Sequence, residues 1–60
     1  MGNFIETFDK TGKKILINLD QIAAIEEKRN ETIITLASGK EIISDEWYWN
    51  IMDTIKRKRA

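Results

Sequence analysis

Cysteine, histidine and proline are all missing from the 60 residues, and the first two gaps each close off a class of protein. Without cysteine there is no disulfide framework and no thiolate metal site. Without histidine the commonest remaining zinc ligand and the usual general base are gone as well. A domain this small buries only about 60% of the surface its unfolded chain exposes. Natural chains of such length therefore add disulfides, a metal or partner subunits. Only self-association is left here, so the composition predicts a homo-oligomer.

Charge of one sign is lacking too. Ten basic side chains balance ten acidic ones, which gives no global attraction to nucleic acid or to an anionic membrane. Long hydrophobic runs are absent: the longest is Ile22-Ala23-Ala24-Ile25, far short of the roughly 20 residues of a membrane span. No basic-then-apolar leader opens the chain, so a cytoplasmic protein is expected. What is present, 33% charged and 42% hydrophobic residues, suits one globular domain over residues 1–60.

Glycine is scarce, and two of the three glycines act as punctuation. Phe4 to Phe8 is a short β-rich run. Asp9-Lys10-Thr11-Gly12-Lys13 then reads as a hairpin turn, because Gly12 takes a positive φ at no steric cost. Beyond it Ile15, Ile17 and Leu19 alternate with Lys14, Leu16 and Asn18, a strand expected to be covered on both sides near Leu16. The segment from Asn18 to Lys28 reads two ways. Asn18 or Asp20 could cap a helix, or one turn at Leu19 to Gln21 leads into a strand, which is the favoured reading. Arg29-Asn30-Glu31 makes a turn, Thr32 to Leu36 is strongly β-forming, and Ala37-Ser38-Gly39-Lys40 turns into Glu41 to Ile43.

Ser44 and Asp45 are good N-caps, Asp45 and Glu46 suit a positive helix end, and Lys56, Arg57, Lys58 and Arg59 suit the negative one. A helix over 45–59 follows. The expected fold class is α+β: a small twisted antiparallel sheet of four to five strands over 3–43, packed by one C-terminal α-helix. Its core should hold Ile15, Ile17, Ile22, Ile25, Ile34, Leu36, Ile43, Trp47, Ile51 and Ile55.

Three large rings stand side by side at Trp47, Tyr48 and Trp49, and no single surface can bury them all. At 100° per residue Trp47, Ile51 and Ile55 form one stripe, with Tyr48 and Met52 on its edge. Trp49 points roughly 160° from Ile51. A tryptophan buries about 150–250 Å² and is enriched at interface hot spots, so Trp49, Met52 and Tyr48 are the expected protein interface. The bland alternative has Trp49 folding over its own helix.

Catalysis finds little footing. Ser38 lies in a turn, and Ser44 reads as a cap. The adjacent carboxylates Glu26-Glu27 and Asp45-Glu46 read as opposite strand faces and as dipole complements. No phosphate-cradling glycine loop, GxGxxG run or EF-hand spacing occurs, and no enzyme activity, metal or cofactor is expected. The Lys56, Arg57, Lys58, Arg59 run is either a solvated helix end or an anion site. Copies brought together by an oligomer would concentrate that charge, with Trp49 to stack a base.

The segments T-G-K-K-I-L-I-N-L-D-Q-I-A-A-I-E-E (11–27) and T-I-I-T-L-A-S-G-K-E-I (32–42), followed by a short helix, resemble the small bacterial flagellar proteins of the FlbD or SwrD family. That resemblance implies a cytoplasmic, non-enzymatic module assisting motility through protein contacts. The function expected overall is a homo-oligomeric binding module acting by stoichiometric protein contact. The alternatives are a phage or mobile-element accessory protein that sequesters a nucleotide-like anion between subunits and, further off, nucleic-acid binding.

Overall fold

The computed structural model describes residues 3–59. Five strands come first: β1 (Phe4–Phe8), β2 (Lys14–Asn18), β3 (Ile22–Lys28), β4 (Glu31–Leu36) and β5 (Glu41–Ser44). One helix, α1 (Tyr48–Arg59), follows. The class is α+β, as expected, but the strands do not make one sheet. β1 and β2 form a two-stranded antiparallel sheet, and β3, β4 and β5 a three-stranded one. An isolated bridge between Asp9 and Ser44 links them, beside a 2.8 Å hydrogen bond from the Asp45 N–H to the Phe8 carbonyl. Two separate apolar faces can enclose a core of this size, where one flat sheet would need more helix to cover it.

The turns obey their local chemistry. Gly12 and Gly39 carry φ of 86° and 95°, and Asn30, at φ 53°, is one of the few other residues that tolerates that region. Asp9 Oδ1 accepts from the Thr11 N–H, the Thr11 hydroxyl and the Lys13 N–H. The ambiguous segment resolves as one 3-10 turn at Leu19–Gln21 followed by β3. Asn18 caps that turn, its side chain accepting from the Asp20 N–H.

Ile5, Ile17, Leu19, Ile34, Ile51 and Ile55 are buried together, and Ile15, Ile22, Ile25, Leu36, Ile42 and Met52 pack around them. Three expectations need correction. Ile43 is exposed, and Ile42 takes its place. Ile42 pairs with the fully buried Ile34, and paired residues share a face, so the alternation along β5 sends Ile43 outward. Leu16 is 61% exposed: its side of the β1–β2 hairpin faces outward, with Phe4 and Phe8. Trp47 is 65% exposed because the helix begins after it.

Candidate aromatic contact surface

A polar knot places the aromatic residues. Thr7, Thr32 and Ser44 are all completely buried. Thr7 donates to Glu46 Oε1 at 2.5 Å. One hydroxyl has one proton, so in the 2.5 Å contact between Thr7 and Ser44 it is Ser44 that donates. The Glu46 N–H donates back to Ser44 Oγ at 3.1 Å, and Thr32 donates to the Glu46 carbonyl at 2.8 Å. Every buried side-chain nitrogen and oxygen among the described residues is satisfied.

This knot holds residues 44–46 in a non-helical path, which corrects the expected helix start. Ser44 ends β5, and its hydroxyl caps the Glu46 N–H two residues on without opening a helix. Asp45 and Glu46 lie ahead of α1, whose first turn contains no acidic residue. The Trp47 carbonyl accepts from the Asn50 and Ile51 N–H groups at 3.1 and 3.2 Å, so Trp47 occupies the N-cap position. Its ring therefore leaves the Ile51–Ile55 stripe and swings outward.

Trp49, the second residue of α1, is 65% exposed. Tyr48 and Trp49 meet edge to face, with ring centroids 5.2 Å apart at 86°. Trp47, Tyr48 and Trp49 line a cleft of about 220 Å³ against the β3–β4 turn, where Glu27 and Glu31 also face it. Glu31 is ion-paired with Lys10. Tyr48 lines a second cleft as well, of about 320 Å³, with Met52, Ile22 and Ala23 between α1 and β3. Tyr48 is thus shared by the cleft that Trp49 lines and the cleft that Met52 lines, and Trp47, which the helical-stripe reading had assigned to the core, joins Trp49 in the first.

The basic run is placed elsewhere. Lys56, Arg57 and Lys58 are exposed near the other end of α1, and the Arg59 side chain lies outside the described residues. Arg57 pairs with Asp53 at 2.9 Å across one helical turn. Lys56 follows Trp49 by seven residues, about 10 Å along the axis, so one chain does not put its cations over its own indole. Neither carboxylate pair, Glu26-Glu27 or Asp45-Glu46, contributes to a cluster of three or more metal-ligating residues among the described residues. Among the described residues no helix is long and apolar enough to cross a membrane.

This arrangement of hairpins, 3-10 turn and terminal helix has a family. The family model for FlbD, described as flagellar and swarming motility proteins, matches residues 5–60. The chain belongs to the FlbD family. The match takes in every strand except the first residue of β1, and the whole of α1, so the family covers the aromatic surface together with the scaffold that displays it. No curated protein and no solved structure matches this FlbD chain.

Proposed function

We propose that this FlbD-family chain is a non-enzymatic, homo-oligomeric binding module of the cytoplasm that serves motility by stoichiometric protein contact. The observation that carries the reading is the pair of tryptophans, Trp47 and Trp49, both 65% exposed on the rim of one cleft. Exposed indoles do little for a folded monomer, yet a ring buried at an interface contributes roughly 1.5–3 kcal/mol. Tyr48 stiffens Trp49 from the side, so little freedom is lost when a partner covers it. Met52 and the small side chains Ala23 and Ala24 extend the contact as a surface that adapts to shape.

Trp49→Ala tests this in purified protein by size-exclusion chromatography with light scattering and by titration against a motility partner. The variant should keep the wild-type fold and melting temperature while losing subunits or partner affinity. Unchanged mass together with unchanged binding would refute the proposal. A second reading, an anionic ligand at a subunit boundary, draws on Lys56 lying at nearly the same helical azimuth as Trp49, seven residues on. It calls for affinity that falls steeply with added salt, where the protein contact calls for mild dependence.

A further inference from the structure

Among the described residues, β2, the outer strand of the β1–β2 hairpin, pairs with β1 alone. The Leu19 N–H donates to the Asn3 carbonyl at 2.8 Å, and the Asp9 N–H to the Lys13 carbonyl at 3.0 Å. These two bonds set the phase of the ladder between them. The main-chain groups of Ile15 and Ile17 turn toward β1, and those of Lys14, Leu16 and Asn18 turn to the open edge. Leu16, in the middle of that edge, is 61% exposed.

The opposite outer strand is guarded, and β2 is not. In β3 the register slips between Ile22 and Ala24, and the second half of the strand is Glu26-Glu27-Lys28. A bulge and consecutive charges are devices that stop an edge from recruiting another strand. The ladder of β2 runs unbroken over all five residues, from Phe4↔Asn18 to Phe8↔Lys14, and its one charged residue, Lys14, stands at its end.

We infer that the β2 edge is the self-association surface, pairing antiparallel with β2 of a second copy across a two-fold axis at Leu16. This rests on the homo-oligomer part of the proposed function and gives it a surface separate from the aromatic one. The occupant follows from the pattern itself. In the register that overlaps all of β2, Lys14 meets Asn18, Ile15 meets Ile17, and Leu16 meets Leu16. No like charges oppose each other, and an apolar pair sits on the axis. The edge groups of Lys14, Leu16 and Asn18 supply six main-chain hydrogen bonds, and both copies use the same patch, as a two-fold contact requires. Leu16 lies in a cleft with Phe4, Glu6, Thr54 and Lys58, which shares no residue with the aromatic cleft. A dimer built this way keeps both aromatic surfaces free for another protein.

One five-residue strand buries less than the roughly 1,200–2,000 Å² of standard stable complexes, so the dimer belongs to the range of about 10 µM to 1 mM. Sedimentation equilibrium across that range, with amide hydrogen exchange on the same samples, tests it. Wild type should pass from monomer to dimer, and exchange at Leu16 and Asn18 should slow as concentration rises while β3 amides stay unchanged. Leu16→Lys sets two cations on the axis at an exposed position and should weaken the dimer about tenfold or more, with circular dichroism unaltered. Trp49→Ala should leave this dimer intact. A wild type that stays monomeric to about 1 mM overturns the inference, as does a dimer indifferent to Leu16→Lys or exchange at Leu16 that ignores concentration. A dimer dissolved by Trp49→Ala also overturns it, yet leaves the proposed aromatic contact standing. Loss of the aromatic contact is read separately, from partner titration.

Discussion

Thr7 shows how one small hydroxyl controls a surface it never reaches. It is buried, and through Ser44 and Glu46 it fixes the path by which the chain leaves β5 and enters α1. Thr7→Val keeps the shape and removes the hydroxyl, leaving the Ser44 proton and a Glu46 oxygen unpaired. The expected loss is about 1–3 kcal/mol, read by urea unfolding, with a shift in tryptophan emission as the 44–47 segment relaxes. A loss under about 0.5 kcal/mol would mean that the knot does not hold the segment. None of this was legible in the sequence. Thr7 is one polar residue in a β-rich run, and Ser44 looks like a helix cap because Asp45 and Glu46 follow it. The hydroxyls find each other only because the register of two separate sheets brings Asp9 opposite Ser44. Trp49 was legible, since its angle from Ile51 depends on the helical repeat alone. Trp47 was not, because its role turned on where that repeat begins.

Among the elements, the β1–β2 hairpin depends on its turn. Asp9 takes three hydrogen bonds at one oxygen, and the Thr11 hydroxyl, then the Lys13 N–H, hold its carboxyl below the ordinary value of 3.8. A carboxyl whose folded value is depressed supports the fold above its unfolded value, and that support is lost as pH falls through the folded one. Melting temperature should therefore drop in wild type as pH falls from about 4 downward. Asp9→Asn should start lower at neutral pH and lose less over that window. Parallel pH profiles for the two proteins would contradict the role given to Asp9. The hairpins could be read from the sequence because Gly12, Asn30 and Gly39 each answer a local backbone demand. The face of β5 could not, since four residues with two adjacent isoleucines fit either alternation, and only pairing with Ile34 decides between them.

At the scale of the molecule, the described residues form a pair of small sheets and one helix around six buried aliphatic side chains, with two tryptophans outside. A chain of 60 residues without cysteine has little stability in reserve, and contacts with other molecules are the natural supplement. The FlbD family, to which the chain belongs, is described as flagellar and swarming motility proteins, and stoichiometric contact is the proposed mode of action. Fold class was accessible because alternation and the helical repeat are local. The split into two sheets was not, since it follows from which strand ends meet. Native mass spectrometry of the chain purified from its own cells, wild type beside Trp49→Ala, tests the central claim most directly. The wild type should fly in a complex of fixed stoichiometry with a partner protein, and the variant should lose that partner while remaining folded. A wild type that carries no partner would contradict the account.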